Sequence, residues 1–320
     1  MLALIFSVLV MNGPTLKAGT PVRLPSEVFI VESLAACEDG TLVVLDRKSH
    51  VIAKVDPDGT SLTAGRRGQG PGELNIPLSI ACADQRVFVG DYKLINVYDA
   101  DTLRFIKQIP TENNCLSLSF FEDELFLATG RFPSTGYSMQ VLDQDGKVLR
   151  ELYEHHADGA PEQMKIPYVD QGSDGTLYFL HHQAYRIDIL DRQGHPARAF
   201  KVHPSPRYKP VTSLAALEKK YGLGLVSWHR WQSEWSVSSR IAVVDDRYLW
   251  VCFQELQEDM RTYKYFVDVY DLDADNQKII SWREMPGRLY DGGRAAYFVE
   301  AIESKNDDYQ TVVVPYEVVP

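Results

Sequence analysis

The chain is short of reactive and ligating residues. Only four of its 320 residues are cysteine: Cys37, Cys82, Cys115 and Cys252. None belongs to a C-x-x-C pair, so the usual structural zinc site is excluded. No G-x-S-x-G elbow occurs and no cysteine adjoins a histidine, so nucleophilic catalysis has no local signature. Clusters of basic residues are missing as well. The formal net charge is −11, which repels a phosphate backbone and argues against nucleic acid as a partner. Long hydrophobic runs are absent. The apolar stretch 2–11 is about half of the ~20 residues a spanning helix needs, so no membrane span is expected.

What the chain has instead is a repeated paragraph. The clearest copies are FIVESLAACEDGTLVVLDRKSHVIAKVDPDGT (29–60), IPLSIACADQRVFVGDYKLINVYDADT (76–102) and IPYVDQGSDGTLYFLHHQAYRIDILDRQG (166–194). Each holds a small-residue apolar strand, a polar turn, a strongly apolar strand, another turn, and an alternating strand ending in Asp. A unit of about 45 residues made of short strands is the signature of a propeller blade. The apolar second strands count six blades: LVVL (42–45), VFVG (87–90), LFLA (125–128), LYFL (177–180), LWVC (249–252) and YFVE (297–300). The closing Asp56, Asp99, Asp143, Asp191 and Asp271 act as the ruler, with one long step before the last.

The blades are expected at about 30–65, 76–110, 114–152, 167–202, 239–282 and 286–318. The sixth has room for three strands, and the segment 21–29 is expected to supply the outer one and close the ring. The long step contains an insertion at about 203–238. Within it SLAALEKKYG reads as a short helix, with Leu214, Leu217 and Tyr221 on one face, a Thr212 or Ser213 cap and a Gly222 stop.

The segment GRRGQGPGELNIPLSIACADQRVFVGD (65–91) resembles six-bladed propellers of the NHL-repeat and TolB-like kind. Its G-x-G-P-G-E-L-x-x-P-x-x-I core carries the likeness, and weaker D-G-x-L echoes extend it along the chain. The signature occurs once, which is closer to bacterial exported propellers than to regular NHL repeats. The resemblance implies an all-β, six-bladed β-propeller. A strand, not a helix N-terminus, follows the glycine-rich loop, so phosphate binding is not expected there.

The apolar stretch 2–11, then Asn12-Gly13-Pro14 and Leu16-Lys17-Ala18, reads as a signal peptide cut after Ala18. The expected organisation is a leader over 1–18 and one propeller domain over 19–320, in the periplasm or secreted. Cys37 and Cys82 occupy matching places in successive repeats. A disulfide is open to an exported chain, but matching points on neighbouring blades are usually too far apart, so two free buried thiols are expected.

Trp228, Trp231 and Trp235, with Arg230 and Tyr208, form the aromatic part of the insertion. Flat amphipathic rings of this kind make binding hot spots and stack on sugars. Arg131, Phe132 and Tyr137, in the long turn of blade three, are expected on the same face. The leading expectation is therefore a non-enzymatic binding ring for a protein, peptide or glycan, with no cofactor. The alternative is a hydrolase or lyase holding Ca or another divalent ion in the channel through Glu32, Asn114 and Asp170, near the starts of three first strands. The pairs His155-His156 and His181-His182 are expected as solvated loop residues.

Overall fold

A computed structural model of the chain describes residues 14–83, 85–130, 136–156, 168–181, 185–198, 200, 203, 205–210, 214–222, 233, 236–259, 262–274, 277–290, 295–303 and 309–319. The chain enters with β1 (Thr15–Ala18) and β2 (Val22–Arg23). Blade one is β3 (Val31–Ala36), β4 (Leu42–Asp46), β5 (Val51–Val55) and β6 (Ser61–Ala64). Blade two is β7 (Ser79–Ala83), β8 (Arg86–Asp91), β9 (Leu94–Asp99) and β10 (Phe105–Pro110). Blade three is β11 (Asn114–Phe121), β12 (Glu124–Gly130), β13 (Gly136–Leu142) and β14 (Val148–His156). Blade four is β15 (Tyr168–Gln171), β16 (Leu177–Leu180), β17 (Ile187–Leu190) and β18 (Pro196–Arg198). After α1 (Leu214–Tyr221) comes blade five, with β19 (Val237–Val244), β20 (Tyr248–Leu256), β21 (Tyr263–Asp271) and β22 (Gln277–Met285). Blade six holds β23 (Leu289–Tyr290), β24 (Ala296–Glu303) and β25 (Tyr309–Val319). Each of blades one to five is a four-stranded antiparallel meander, and the sixth is completed by β1 and β2, which pair with β25.

The fold is thus all-β and six-bladed, with a short helix before blade five, as the repeats indicate. Its core shows why the second strands are continuously apolar. In β4, Leu42 and Val44 pack toward blade six, while Val43 and Leu45 pack toward blade two. In β20, Leu249, Val251 and Phe253 face blade four, and Trp250 and Cys252 face blade six. Alternate side chains of a strand point to opposite faces, and in a ring both faces meet a neighbouring blade. Six such inter-blade clusters close the circle.

Aspartates fix the turns. In the three Asp-Gly-Thr copies, Asp39, Asp58 and Asp174 accept the N–H of Thr41, Thr60 and Thr176 at 2.8–2.9 Å. The intervening Gly40, Gly59 and Gly175 have φ of 80–89°, where a side chain would be strained. Asp143 and Asp191, closing third strands, each accept two turn N–H groups. A second set ends the second strands. Asp46 accepts the N–H groups of Phe29, Ile30, Lys48 and Ser49, and Asp91 those of Asn75, Ile76 and Tyr92. Each carboxylate ties the strand end to the connection arriving from the previous blade.

Three expectations change. Cys37 and Cys82 form a disulfide, with Cα atoms 5.4 Å apart. Both lie at the far end of adjacent inner strands, and inner strands converge on the axis, so these matched positions come within bridging distance. The ring closes mainly through β1, whose Thr15–Ala18 pair with Tyr316–Val319. The sequence pattern assigned those residues to the leader. Of the segment 21–29, Val22 and Arg23 pair with β25, and the Leu24 N–H donates to the Thr311 carbonyl at 3.1 Å. The histidines differ too. His155 and His156 are strand residues of β14, and His181 is buried, its Nε2 2.7 Å from the Asp188 carboxylate.

Candidate functional site

The inner strands β3, β7, β11, β15, β19 and β23 surround an axial cavity of about 40 Å³. One layer of it is set by the repeat. Ser33, Ser79, Ser117, Tyr168 and Arg240 pair with Leu45, Gly90, Ala128, Leu180 and Cys252. Those partners are the last residues of the apolar tetrads in the second strands of blades one to five. All five layer residues line the cavity, and Tyr290 of blade six joins them. Three serines are therefore succeeded by a tyrosine and an arginine at the same structural position.

Bulges set this register. The ladder shifts between Val31 and Ser33, between Cys115 and Ser117, and between Ser238 and Arg240. The residue after each shift, Ser33, Ser117 or Arg240, lines the cavity. A bulge adds one residue and re-aims the next side chain. In blade five it delivers a guanidinium to the axis.

The Arg240 Cζ stands 4.6 Å from the Tyr168 ring centroid and 5.8 Å from that of Tyr290. Its Nη2 donates to the Glu32 carbonyl at 3.1 Å. Arg288 lies one step along, its Cζ also 5.8 Å from the Tyr290 ring, and its Nε is buried without a hydrogen-bond partner. Aromatic faces favour a nearby cation. Burial, then the neighbouring Arg288 charge, lower the pKa of Arg240, while Tyr168, Tyr290 and Glu32 oppose them. A guanidinium stays protonated throughout the physiological range, so Arg240 keeps its charge beside that of Arg288. Burial raises the Tyr290 phenol, whose hydroxyl donates to the Val31 carbonyl at 2.6 Å.

Glu32 occupies the bulge of β3, beside the two arginines in electrostatic reach. Asn114 opens β11, and its Oδ1 is buried without a partner. Asp170 is 5% exposed and accepts the Val243 N–H at 2.5 Å across the blade four–five seam. Among the described residues no three His, Cys, Asp or Glu side chains gather as metal donors. Tyr208 is 9% exposed and packs on Tyr185 and Phe253, with ring centroids 5.0 and 5.7 Å away. Tyr137 lies in β13, paired with Gly130 and His155. Trp228, Arg230, Trp231, Trp235, Arg131 and Phe132 fall outside the described residues.

The base of the insertion is well defined. Lys209 N–H donates to Ser236 Oγ at 3.0 Å, and Ser236 N–H to the Lys209 carbonyl at 2.8 Å. Glu255 holds Arg207 and Lys209 by ion pairs of 3.3 and 3.6 Å. A wider cleft of about 400 Å³ lies at the Cys37–Cys82 end of blades one and two. Three of its charged groups are engaged internally: Lys54 reaches Asp56 and Asp101, and Asp39 serves its own turn.

The sequence pattern placed carboxylates at the axis and missed Arg240, Arg288 and Tyr168. A signal was present. That signal is partial: Ser33, Tyr168 and Arg240 each stand twelve residues before the last residue of the apolar tetrad, but Ser79 and Ser117 stand eleven before it. The bulges, which move that spacing by one residue, left no mark in the pattern.

Ring and axis together define a six-bladed β-propeller with an arginine–tyrosine channel. No family model matches the chain, and no curated protein does. Solved structures are similar. A Bacteroides fragilis protein thought to be exported matches at TM-score 0.64 and 15% identity, over 95% of this chain and 96% of that one. A member of the duf4221 family from Bacteroides vulgatus matches at 0.61 and 12%, over 96% and 99%. The calcium-binding protein regucalcin from Agrobacterium tumefaciens matches at 0.56 and 15%, over 92% and 94%. At such identities the likeness shows the fold alone.

Proposed function

We propose that this is an exported binding propeller, without chemistry of its own, whose loop face takes a protein, peptide or glycan. One observation carries the reading. The insertion is clamped at its base, by the paired backbone bonds of Lys209 and Ser236 and by burial of Tyr208, so both ends of the segment 210–235 are fixed to the ring. That segment contains Trp228, Arg230, Trp231 and Trp235. It joins the outer strand of blade four to the inner strand of blade five, so it leaves the ring on the face where inner strands begin. Anchoring both ends of a segment reduces the entropy it loses on binding.

Export fits the Cys37–Cys82 disulfide, since such bonds persist in oxidising compartments. It also fits the resemblance to a protein thought to be exported. The hydrolase alternative is disfavoured by charge. Two guanidiniums beside Glu32 repel a divalent cation at that end of the channel.

The test is a titration of the purified chain with panels of soluble oligosaccharides and peptides, read by tryptophan fluorescence. A saturable change is expected, and Trp231→Ala with Trp235→Ala should remove it without moving the melting temperature. If the double variant merely unfolds, those tryptophans are packing residues and the reading fails. A stoichiometric divalent ion that survives dialysis, and is lost in Asp170→Ala, would favour the hydrolase.

A further inference from the structure

We infer that the axial cavity is a binding site for a carboxylate group, held by Arg240 on a floor of serines and tyrosines. The inference stands on channel residues alone and is separate from the tryptophan loop. Four observations carry it.

The first is the broken repeat. Blades one to three place serine at the layer position, and blade five places arginine there through a bulge. Packing does not require the change, because serine fills that place on three other blades. A repeat is set by stability, so a large charged departure at the axis points to a ligand.

The second is charge balance. Arg240 and Arg288 bring two positive charges to this end of the channel, and Glu32 brings one negative. Arg240 donates to the Glu32 carbonyl, not to its carboxylate. The site therefore keeps one net positive charge at a place where burial strengthens electrostatics. An anion completes it.

The third is unused donors. A guanidinium has five N–H groups. Arg240 lines the cavity, and among the described residues only one of its hydrogen bonds finds a protein acceptor. Donors that face the cavity without a protein acceptor are open to a ligand's oxygens.

The fourth is size and shape. A water needs about 10–15 Å³ of such space, so the cavity of about 40 Å³ holds about three heavy atoms. A carboxylate group has three. A planar carboxylate also matches the guanidinium fork in two parallel hydrogen bonds, and tetrahedral phosphate needs more room. The ring of Tyr168 backs the guanidinium from one side. Ser33, Ser79 and Ser117 form the rest of the layer, and Ser79 and Ser33 are already anchored to Cys115 and Ile80.

The experiment uses the full chain at constant ionic strength, titrated with ¹³C-labelled acetate and monitored by NMR line broadening. Parallel arms use phosphate, chloride, acetamide, and an acetylated dipeptide with a free or an amidated C-terminus. Saturable binding of acetate, with no binding of acetamide, is expected. Binding of the free-acid dipeptide would identify a peptide terminus as the source, and acetate alone would identify a small free acid. Arg240→Gln should weaken acetate binding by about tenfold or more, as loss of a charge-assisted pair does. Arg240→Lys should restore only part of it, because the charge returns without the fork. The wild-type titration needs no variant, so a destabilised Arg240→Gln chain leaves the test intact. No acetate binding, equal binding of chloride, preference for phosphate, or unchanged affinity in a folded Arg240→Gln chain would each overturn the inference.

Discussion

Asp46 shows how much one side chain carries. Both carboxylate oxygens accept backbone N–H groups, from Phe29 and Ile30 on one side and Lys48 and Ser49 on the other. Burial raises its pKa, but the bonds from Ile30, Ser49 and Phe29 outweigh that and hold it below the usual 3.8. A lowered folded pKa adds stability above the unfolded value and loses it as pH falls through the folded one. Asp46→Asn turns an acceptor into a donor on one side. It should cost about 1–3 kcal/mol at neutral pH, and the gap to wild type should narrow below the usual carboxylate pKa. Urea unfolding at several pH values measures this, and a gap that does not shrink in acid contradicts it. Gly287 is a second single-residue control. A β-carbon there would sit 1.8 Å from the Val299 carbonyl oxygen, just before Arg288. Gly287→Ala should cost ~2 kcal/mol or more, read by thermal melting.

At the scale of elements, the closure of blade six depends on the N-terminal strand β1. Residues Thr15–Ala18 pair with Tyr316–Val319, and Leu16 packs against the blade five–six core. Cleavage after Ala18 would remove that strand and leave β25 with an open edge. An exported chain is expected to keep Thr15–Ala18, which mass spectrometry of its N-terminus checks. Deleting residues 14–18 should lower the melting temperature and promote association. An unchanged melt would mean that β1 contributes nothing to closure. The six blades were legible in sequence because each second strand is buried on both faces and so stays apolar. The place of the closing strand was not. Pairing with β25 needs only a short extended segment, and both 15–18 and 22–23 qualify.

Across the whole molecule the ring has two unlike faces. One bears the insertion and the arginine–tyrosine end of the axis, and the other the Cys37–Cys82 bridge between blades one and two. The bridge spans 45 residues of chain, and loop-closure entropy gives it about 4 kcal/mol. Reduction, or Cys37→Ser with Cys82→Ser, should lower the melting temperature accordingly. A melt insensitive to reductant would show that the two sulfurs are not joined. The other two cysteines do not confuse the result. Both are buried, and burial pushes the Cys115 thiol up to about 11.

By itself the sequence determined the architecture: six blades, their limits to within a few residues, the Asp-Gly turns, and an insertion with one helix before blade five. Those features are local, written in apolar runs and in turn residues that need positive φ. Only the tertiary structure decided what meets at the axis. Bulges shift three inner strands by one residue, convergence brings Cys37 to Cys82, and Asp170 turns into a seam while Arg240 turns into the channel. Such outcomes depend on how far strands lean and slide as the ring closes, and no stretch of sequence encodes that distance.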